Sequence, residues 1–341
     1  MKNLPGRSVL SERHRLTHTQ IDMLLNEERA GEFVHEKMKI LRKVKDFLQI
    51  SDLIRSRGFF FVSMKGPLLS QRIYGDPTVR FSHDIDIFIN PEDLDGISEL
   101  LYGAGFSIPP GYLWTDDKVK RKLLMESYHH LEFVNKKTGL MIEVHWVLMH
   151  TLPVSEEFVD KILRKNLCEM EFAGQKFTVM NKEMELLFLL IHGSRHGWER
   201  LKWLVDIKDY PCKDMDVPKF YDLVEKFRAG RILGQTNRLL TLYFGTSLPF
   251  PGNCRVPENY VRGAVKQIEA EDISPGSKSF KRMVANFVYL YRMFPGVGYK
   301  IEILKLHMFR PADMASLKST KKLSYYLYRP YGLIKRRMFH A

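Results

Sequence analysis

The sequence predicts an α+β fold: a small mixed sheet with helices on one side, followed by a helical C-terminal region. Two short apolar segments, Phe59 to Met64 and Asp84 to Ile89, alternate with two helical patterns, and a hairpin pattern follows at YHHLEFVN-KKTG-LMIEVHWVLM. From about residue 155 the apolar spacing turns helical and stays so. With 341 residues, 45% of them apolar and 12% aromatic, the chain can bury a sizeable core in more than one packed unit.

Residues 15–57 read as helix, because Phe33, Met38, Leu41, Val44, Phe47, Leu48 and Ile54 recur at helical spacing between Lys and Arg. Gly58 closes that run, and FFFVSM, apolar and aromatic, suits a buried strand by its length and its flanks. A short helix opens at Gly66-Pro67 and stops before Gly75-Asp76-Pro77. After the strand Asp84 to Ile89, Asn90 serves as N-cap and Pro91 as first helical residue, with Leu94, Ile97, Leu100 and Leu101 as the buried stripe and Gly103 and Gly105 as the stop. In the second hairpin arm Glu143 and His145 share one face, and Ile142, Val144 and Trp146 the other. NKEMELLFLLIHGSRHGWERLKWLVDIKDY predicts helix broken near Gly193 to Gly197; two more helices follow to about Gly245, and 271–279 reads as a loop. The expected organisation is N-terminal helices over 1–58, an α+β core over 59–154, a helical domain over 155–299 and a basic aromatic segment over 300–341.

The net charge of +13 points to an anionic partner: a nucleotide, a nucleic acid or a membrane surface. Cys168, Cys212 and Cys254 are widely spaced with no CxxC, which argues against a disulfide framework or a cysteine zinc site and fits a reducing cytoplasm. The N-terminus lacks the apolar stretch of a signal peptide, and no run approaches the roughly 18 apolar residues of a spanning helix. The expectation is a cytoplasmic protein, at most peripheral to a membrane.

The chemistry concentrates in KGPLLSQRIYGDPTVRFSHDIDIFIN, Lys65 to Asn90. Residues i and i+2 of a strand point the same way about 6.6 Å apart, so Asp84 and Asp86 converge on one region. Two such carboxylates repel unless a cation lies between them. A hard divalent ion, Mg²⁺ with Mn²⁺ as its substitute, relieves that conflict. Glu143 is the candidate third carboxylate by order and alternation, and three acids of this kind can hold the metal ions of phosphoryl transfer. Lys65-Gly66 sits where a strand turns into a helix whose N–H groups can meet phosphate oxygens. Arg80 can fork onto a phosphate. Each residue also has a plainer reading. The aspartates could line a solvated edge strand, Glu143 could pair across strands with a Lys or Arg, and Lys65 and Arg80 could be surface charges or pair with Asp76.

This segment resembles the pattern Lys-Gly, Tyr-x-Asp-Pro, Arg-x-x-x-Asp-x-Asp of the uncharacterised nucleotidyltransferase family within the DNA polymerase β-like superfamily. YHHLEF, IEVHW and HGSRHGWERLKWLVDI continue the likeness in order, so that it spans roughly residues 35–210. The resemblance implies a polymerase-β-like catalytic core with Asp84, Asp86 and Glu143 as catalytic metal ligands. It also implies transfer of a nucleoside monophosphate from a nucleoside triphosphate to an acceptor, with release of pyrophosphate. The chain departs from the wider superfamily in having Lys65-Gly66 where Gly-Ser stands, and Glu143 where Asp is commoner. The acceptor stays open among a small molecule, a sugar or glycan intermediate, a protein hydroxyl and an RNA end, and the resemblance to families found beside bacterial surface-polysaccharide genes leans toward a sugar or lipid-linked one.

His130, with His129 and His145, is a candidate for nucleotide binding, against the plainer reading of packed hairpin histidines. His192 and His196 stand at i, i+4 without the Glu of an HExxH motif and are expected to be structural. Trp198 and Trp203 are expected in the core, with Arg200 or Asp206 facing the site. From Lys300 to the end, ten Lys or Arg stand against two acids, with Tyr325, Tyr326, Tyr328, Tyr331 and Phe339 among them. That segment suits RNA or an anionic membrane, or a helix packed on the body. Two other functions compete: a DxD glycosyltransferase, disfavoured by the single strand before DID, and a catalytically silent nucleotide- or RNA-binding module.

Overall fold

The structure is a computed structural model that describes residues 2–27, 33–110, 114–115, 117–126, 128–250, 256–270, 280–308 and residue 323. The expected loop at 271–279 and nearly all of the basic aromatic segment, from 309 on, lie outside the described residues.

The expected helix over 15–57 is two helices beyond a short α1 (Arg7–Glu12). Thr17 and Gln20 form a capping box at the start of α2 (His18–Leu25), and Asn26 in the left-handed region ends it. Apolar spacing could not show this break, since caps are set by single polar residues. The long α3 (Val34–Ser56) then buries Val44, Phe47, Ile50 and Ile54.

Strand β1 (Phe61–Ser63) runs into α4 (Pro67–Tyr74), which opens at Gly66 and closes at Gly75, and β2 (Asp84–Ile89) follows with the bounds its sequence predicts. Asn90 leads into a single 3-10 turn, Pro91–Asp93, and then α5 (Leu94–Gly103). Next come β3 (Phe106–Ser107), α6 (Lys118–Met125) and the expected hairpin of β4 (His130–Asn135) and β5 (Met141–His145).

Beyond residue 155 the chain is not helical throughout. After α7 (Glu156–Lys165), β6 (Leu167–Phe172) and β7 (Gln175–Met180) form a second hairpin that joins the same sheet, β7 lying parallel to β1. Its two-residue turn, Ala173-Gly174, has positive φ at both positions, 51° and 74°. Ala is an uncommon choice there, so the usual Asn-Gly signal of a tight hairpin is missing. The remaining helices are α8 (Lys182–Arg195), α9 (Leu201–Lys208), α10 (Val217–Lys226), α11 (Gly230–Phe244), α12 (Glu258–Ile268), α13 (Phe280–Met293) and α14 (Val297–Met308). Among the described residues no helix is long and apolar enough to cross a membrane.

Among the described residues, seven strands lie in the order β3-β4-β5-β2-β1-β7-β6. β2 pairs antiparallel with β1 and parallel with β5, so the sheet is mixed, as expected. Its two faces bury different partners. Ile85, Ile87, Ile89, Ile142, Val144, Leu131 and Phe133 share a core with α3 and α5. Val62, Met64, Phe88 and Met180 pack instead with the helices that follow β7. Helices therefore cover both faces and not one, because a strand with apolar residues on both sides needs two layers to bury them. The second face carries the acids.

Candidate active site

Strand pairing brings the acids together. Asp86 lies opposite Glu143 in the parallel ladder, and Glu143 lies opposite Glu132 in the antiparallel one. His145 is likewise flanked by Phe88 and His130. Because partners in register share a face, Asp84, Asp86, Glu132, Glu143, His130 and His145 all stand on one side of the sheet. Toward the C-terminal end of β2 this face becomes apolar at Phe88, which is buried in the helical core.

Asp86 is the buried centre of the group, 2% exposed. The Met64 N–H donates to the Asp86 carbonyl and carries the β1–β2 ladder one residue past β1. Lys65 is thereby set beside the carboxylate, with Nζ 3.1 Å from Asp86 Oδ1. His145 Nε2 lies 3.5 Å from the same oxygen and 3.2 Å from Glu143 Oε2. Burial by itself would push Asp86 up, but the Lys65 ammonium and then His145 hold it well below the usual carboxylate range. Burial would likewise lower Lys65, and attraction to Asp86, Asp84 and Glu143 holds it above the usual lysine range instead. His145 is raised against its burial by its contacts with Asp86 and Glu143.

One ligand atom each from Asp86, Glu143 and His145 lies within 4.8 Å of the others. Asp84 is not in that group; it stands two residues away on the same face, half-buried, its Oδ1 accepting from Ser82 Oγ at 3.4 Å. Asp86 Oδ2 is buried with no hydrogen-bond partner, a costly state for a carboxylate oxygen unless a cation or donor meets it. Carboxylate oxygens around such an atom fit a hard divalent cation.

Gly66 has φ 74° and ψ −142°, a combination open to glycine and strained for other residues, and it turns the chain from β1 into α4. Arg80 is 3% exposed and does not pair with Asp76. Its Nε donates to Asp206 Oδ1 at 2.8 Å and Oδ2 at 3.0 Å, while Nη1 is buried with no hydrogen-bond partner. Asp76 instead caps its own turn, its Oδ1 accepting from the Thr78 N–H and hydroxyl. His192 and His196 pack against each other and against Trp203, with ring centroids 4.7 to 5.7 Å apart. Trp198 is fully buried.

Two neighbours of the site escaped the sequence reading. Glu132 alternates with His130 in HLEF, a signal available once β4 is recognised as pairing through that face. Lys202 lies in α9 beside Arg200, and its Nζ donates to the Phe81 carbonyl at 3.3 Å. Burial, and then repulsion from Arg80, lowers Lys202 to about 7, against the pull of Asp206 and Asp84. Nothing in the local sequence separates Lys202 from any other helix-surface lysine.

A mixed sheet that gathers carboxylates, a lysine and histidines on one face has the equipment of a metal-assisted phosphoryl-transfer enzyme. Over residues 27–245 the chain matches the family described as uncharacterised nucleotidyltransferase. The chain belongs to that family, and its reaction class is nucleotidyl transfer. No curated protein matches it significantly. Among solved structures it is similar to the antibiotic-resistance factor ANT(2'')-Ia, with 13% identity, 55% of this chain and 92% of that one covered, and a TM-score of 0.38. It is also similar to the lincosamide antibiotic adenylyltransferase LnuA in its lincomycin-bound form, with 17% identity, 49% and 94% covered, and a TM-score of 0.33. A third is an antigenic nucleotidyltransferase-like protein from Paracoccidioides brasiliensis, with 15% identity, 57% and 89% covered, and a TM-score of 0.33.

Proposed function

We propose that the chain transfers a nucleoside monophosphate from a nucleoside triphosphate to an acceptor hydroxyl and releases pyrophosphate. The observation that carries this reading is the parallel pairing of β2 with β5, which sets Asp86 directly opposite Glu143 with Asp84 on the same face. Asp84, Asp86 and Glu143 would hold Mg²⁺, with Mn²⁺ as a substitute, and the buried, unpartnered Asp86 Oδ2 supports that donor set. When bound, the metal supplies neutralisation of the phosphate charge and polarisation of the α-phosphorus.

The protein's own residues bind and orient. Lys65 keeps Asp86 ionised and has three N–H donors, so it can hold the carboxylate and a phosphate oxygen together. Gly66 lets the backbone come close to the phosphates, and Arg80, fixed by Asp206, has a spare donor in Nη1. His130 stands on the same face for the nucleotide or acceptor. Glu143 is placed to take the acceptor's proton; the freed oxygen bonds to the α-phosphorus as the bond to the pyrophosphate oxygen breaks in line.

The test is incubation of the full chain with each α-labelled nucleoside triphosphate, Mg²⁺ and a cell extract, followed by location of the label. Transfer to an acceptor is expected for the unmodified chain and not for Asp84→Ala or Asp86→Ala. Transfer that persists in both variants would overturn the assignment.

A further inference from the structure

Four histidines crowd beside the carboxylates, more than an oxygen-ligand site for Mg²⁺ uses. His129 lies 4.3 Å from His130, 5.6 Å from His145 and 5.4 Å from His150, measured between ring centroids, and His130 lies 4.8 Å from His145. One ring nitrogen from each of His129, His130 and His145 lies within 4.8 Å of the others. The first of these is held by the hairpin backbone, since the Trp146 and Val147 N–H groups both donate to the His129 carbonyl. His150 stacks on its ring at an interplanar angle of 16°.

His145 brings a second feature. Its Nε2 faces Asp86 and Glu143, while its Nδ1 is buried with no hydrogen-bond partner. An imidazole that gives one N–H to a carboxylate keeps the lone pair of its other nitrogen, and this carboxylate–histidine pairing orients histidine ligands in zinc sites. Three imidazoles backed by a carboxylate suit a borderline divalent ion such as Zn²⁺, Co²⁺ or Ni²⁺, whereas Mg²⁺ prefers oxygen donors.

We propose that His129, His130 and His145 form a transition-metal site that adjoins the catalytic carboxylates and is joined to them through His145. The fold thus places a nitrogen site and an oxygen site side by side, with His145 as the hinge between them. An ion on the nitrogen site fixes the His145 ring, and through it the near ends of Asp86 and Glu143. This site stands on the histidine geometry, so it survives if the nucleotidyl-transfer reading fails.

The experiment is equilibrium dialysis of the full chain against Zn²⁺ in excess Mg²⁺ with metal analysis, joined to zinc-edge X-ray absorption of the loaded, unmodified protein. One Zn²⁺ per chain with imidazole scattering is expected. His129→Asn and His130→Gln, checked for native circular dichroism, are each expected to weaken binding on the order of tenfold or more, with Asp84→Asn leaving it unchanged. No bound Zn²⁺, or an ion with an oxygen-dominated spectrum, overturns the proposal. So does binding that falls with Asp84→Asn and not with the histidine variants, since that would be zinc replacing Mg²⁺. The absorption spectrum needs no variant and decides the matter even if a substitution fails to fold.

Discussion

Removal of Asp206 tests how the site is held. Its carboxylate is 1% exposed and receives Arg80 Nε at 2.8 and 3.0 Å, and Arg80 is itself 3% exposed. At 2.8 Å and an effective dielectric constant near 20, the gross attraction is about 6 kcal/mol. Much of that is offset by the cost of drying both ions, so the pair adds little net stability beyond a well-packed apolar pair. Loss of one partner is a different matter, because Asp206→Ala strands a buried guanidinium whose Nη1 already has no hydrogen-bond partner. We expect that variant to lose about 3–5 kcal/mol, a large part of the roughly 5–15 kcal/mol that holds a typical fold. The double variant Arg80→Met, Asp206→Leu should recover most of this, since no unpaired charge remains. Urea unfolding followed by tryptophan fluorescence reports both, with Trp198 and Trp203 buried in and beside α9. A loss below about 1 kcal/mol for Asp206→Ala, or a double variant no more stable than the single one, would refute the reasoning.

Three further outcomes follow from other parts of the chain. His14, 1% exposed and accepting the Leu201 N–H on Nδ1 at 3.1 Å, is lowered by burial and then by Arg13 to about 4. The unfolded chain therefore binds the extra proton first, and stability should fall by about 3 kcal/mol as pH drops from about 6.5 to about 4. Unfolding curves of His14→Gln across that window should lack this contribution. Gly66→Ala meets no atom within 4 Å of the new Cβ, yet its φ of 74° should cost about 1–3 kcal/mol. It should also weaken nucleotide binding, which a denaturation series beside a nucleotide titration would show; unchanged stability would deny the backbone strain. In a thermal-shift assay, a nucleoside triphosphate with Mg²⁺ at about 100 times its Kd should add about 2.7 kcal/mol to folding. Asp86→Ala should lose that shift, and a full shift in the variant would place the nucleotide elsewhere.

The miss at residues 167–180 and the success at residues 84–89 have the same origin. DIDIFIN alternates from Asp84 to Ile87 because the Ile85-Ile87-Ile89 face is apolar and buried along its whole length while the other carries the acids up to Phe88, so period two shows in the letters. LCEMEF lies at the sheet edge, where Cys168, Glu169 and Glu171 are exposed and only Phe172 is buried. Its charges come without a steady apolar partner row, and the Ala173-Gly174 turn hides the hairpin. The end of α2 was invisible for a similar reason: one residue in the left-handed region, Asn26, ends a periodicity that the flanking apolar residues continue.

By itself the sequence determined what is local. Alternation put Asp84 and Asp86 on one face of β2 and Glu143 with His145 on one face of β5, and glycine and proline marked both ends of α4. The tertiary structure decided which faces meet. The β2–β5 register, the pairing of Arg80 with Asp206 far along the chain, and the gathering of four histidines beside one carboxylate all depend on contacts between distant segments. Such contacts leave no periodic trace in any one segment, because their energy comes from burial and charge pairing that exist once the segments are packed.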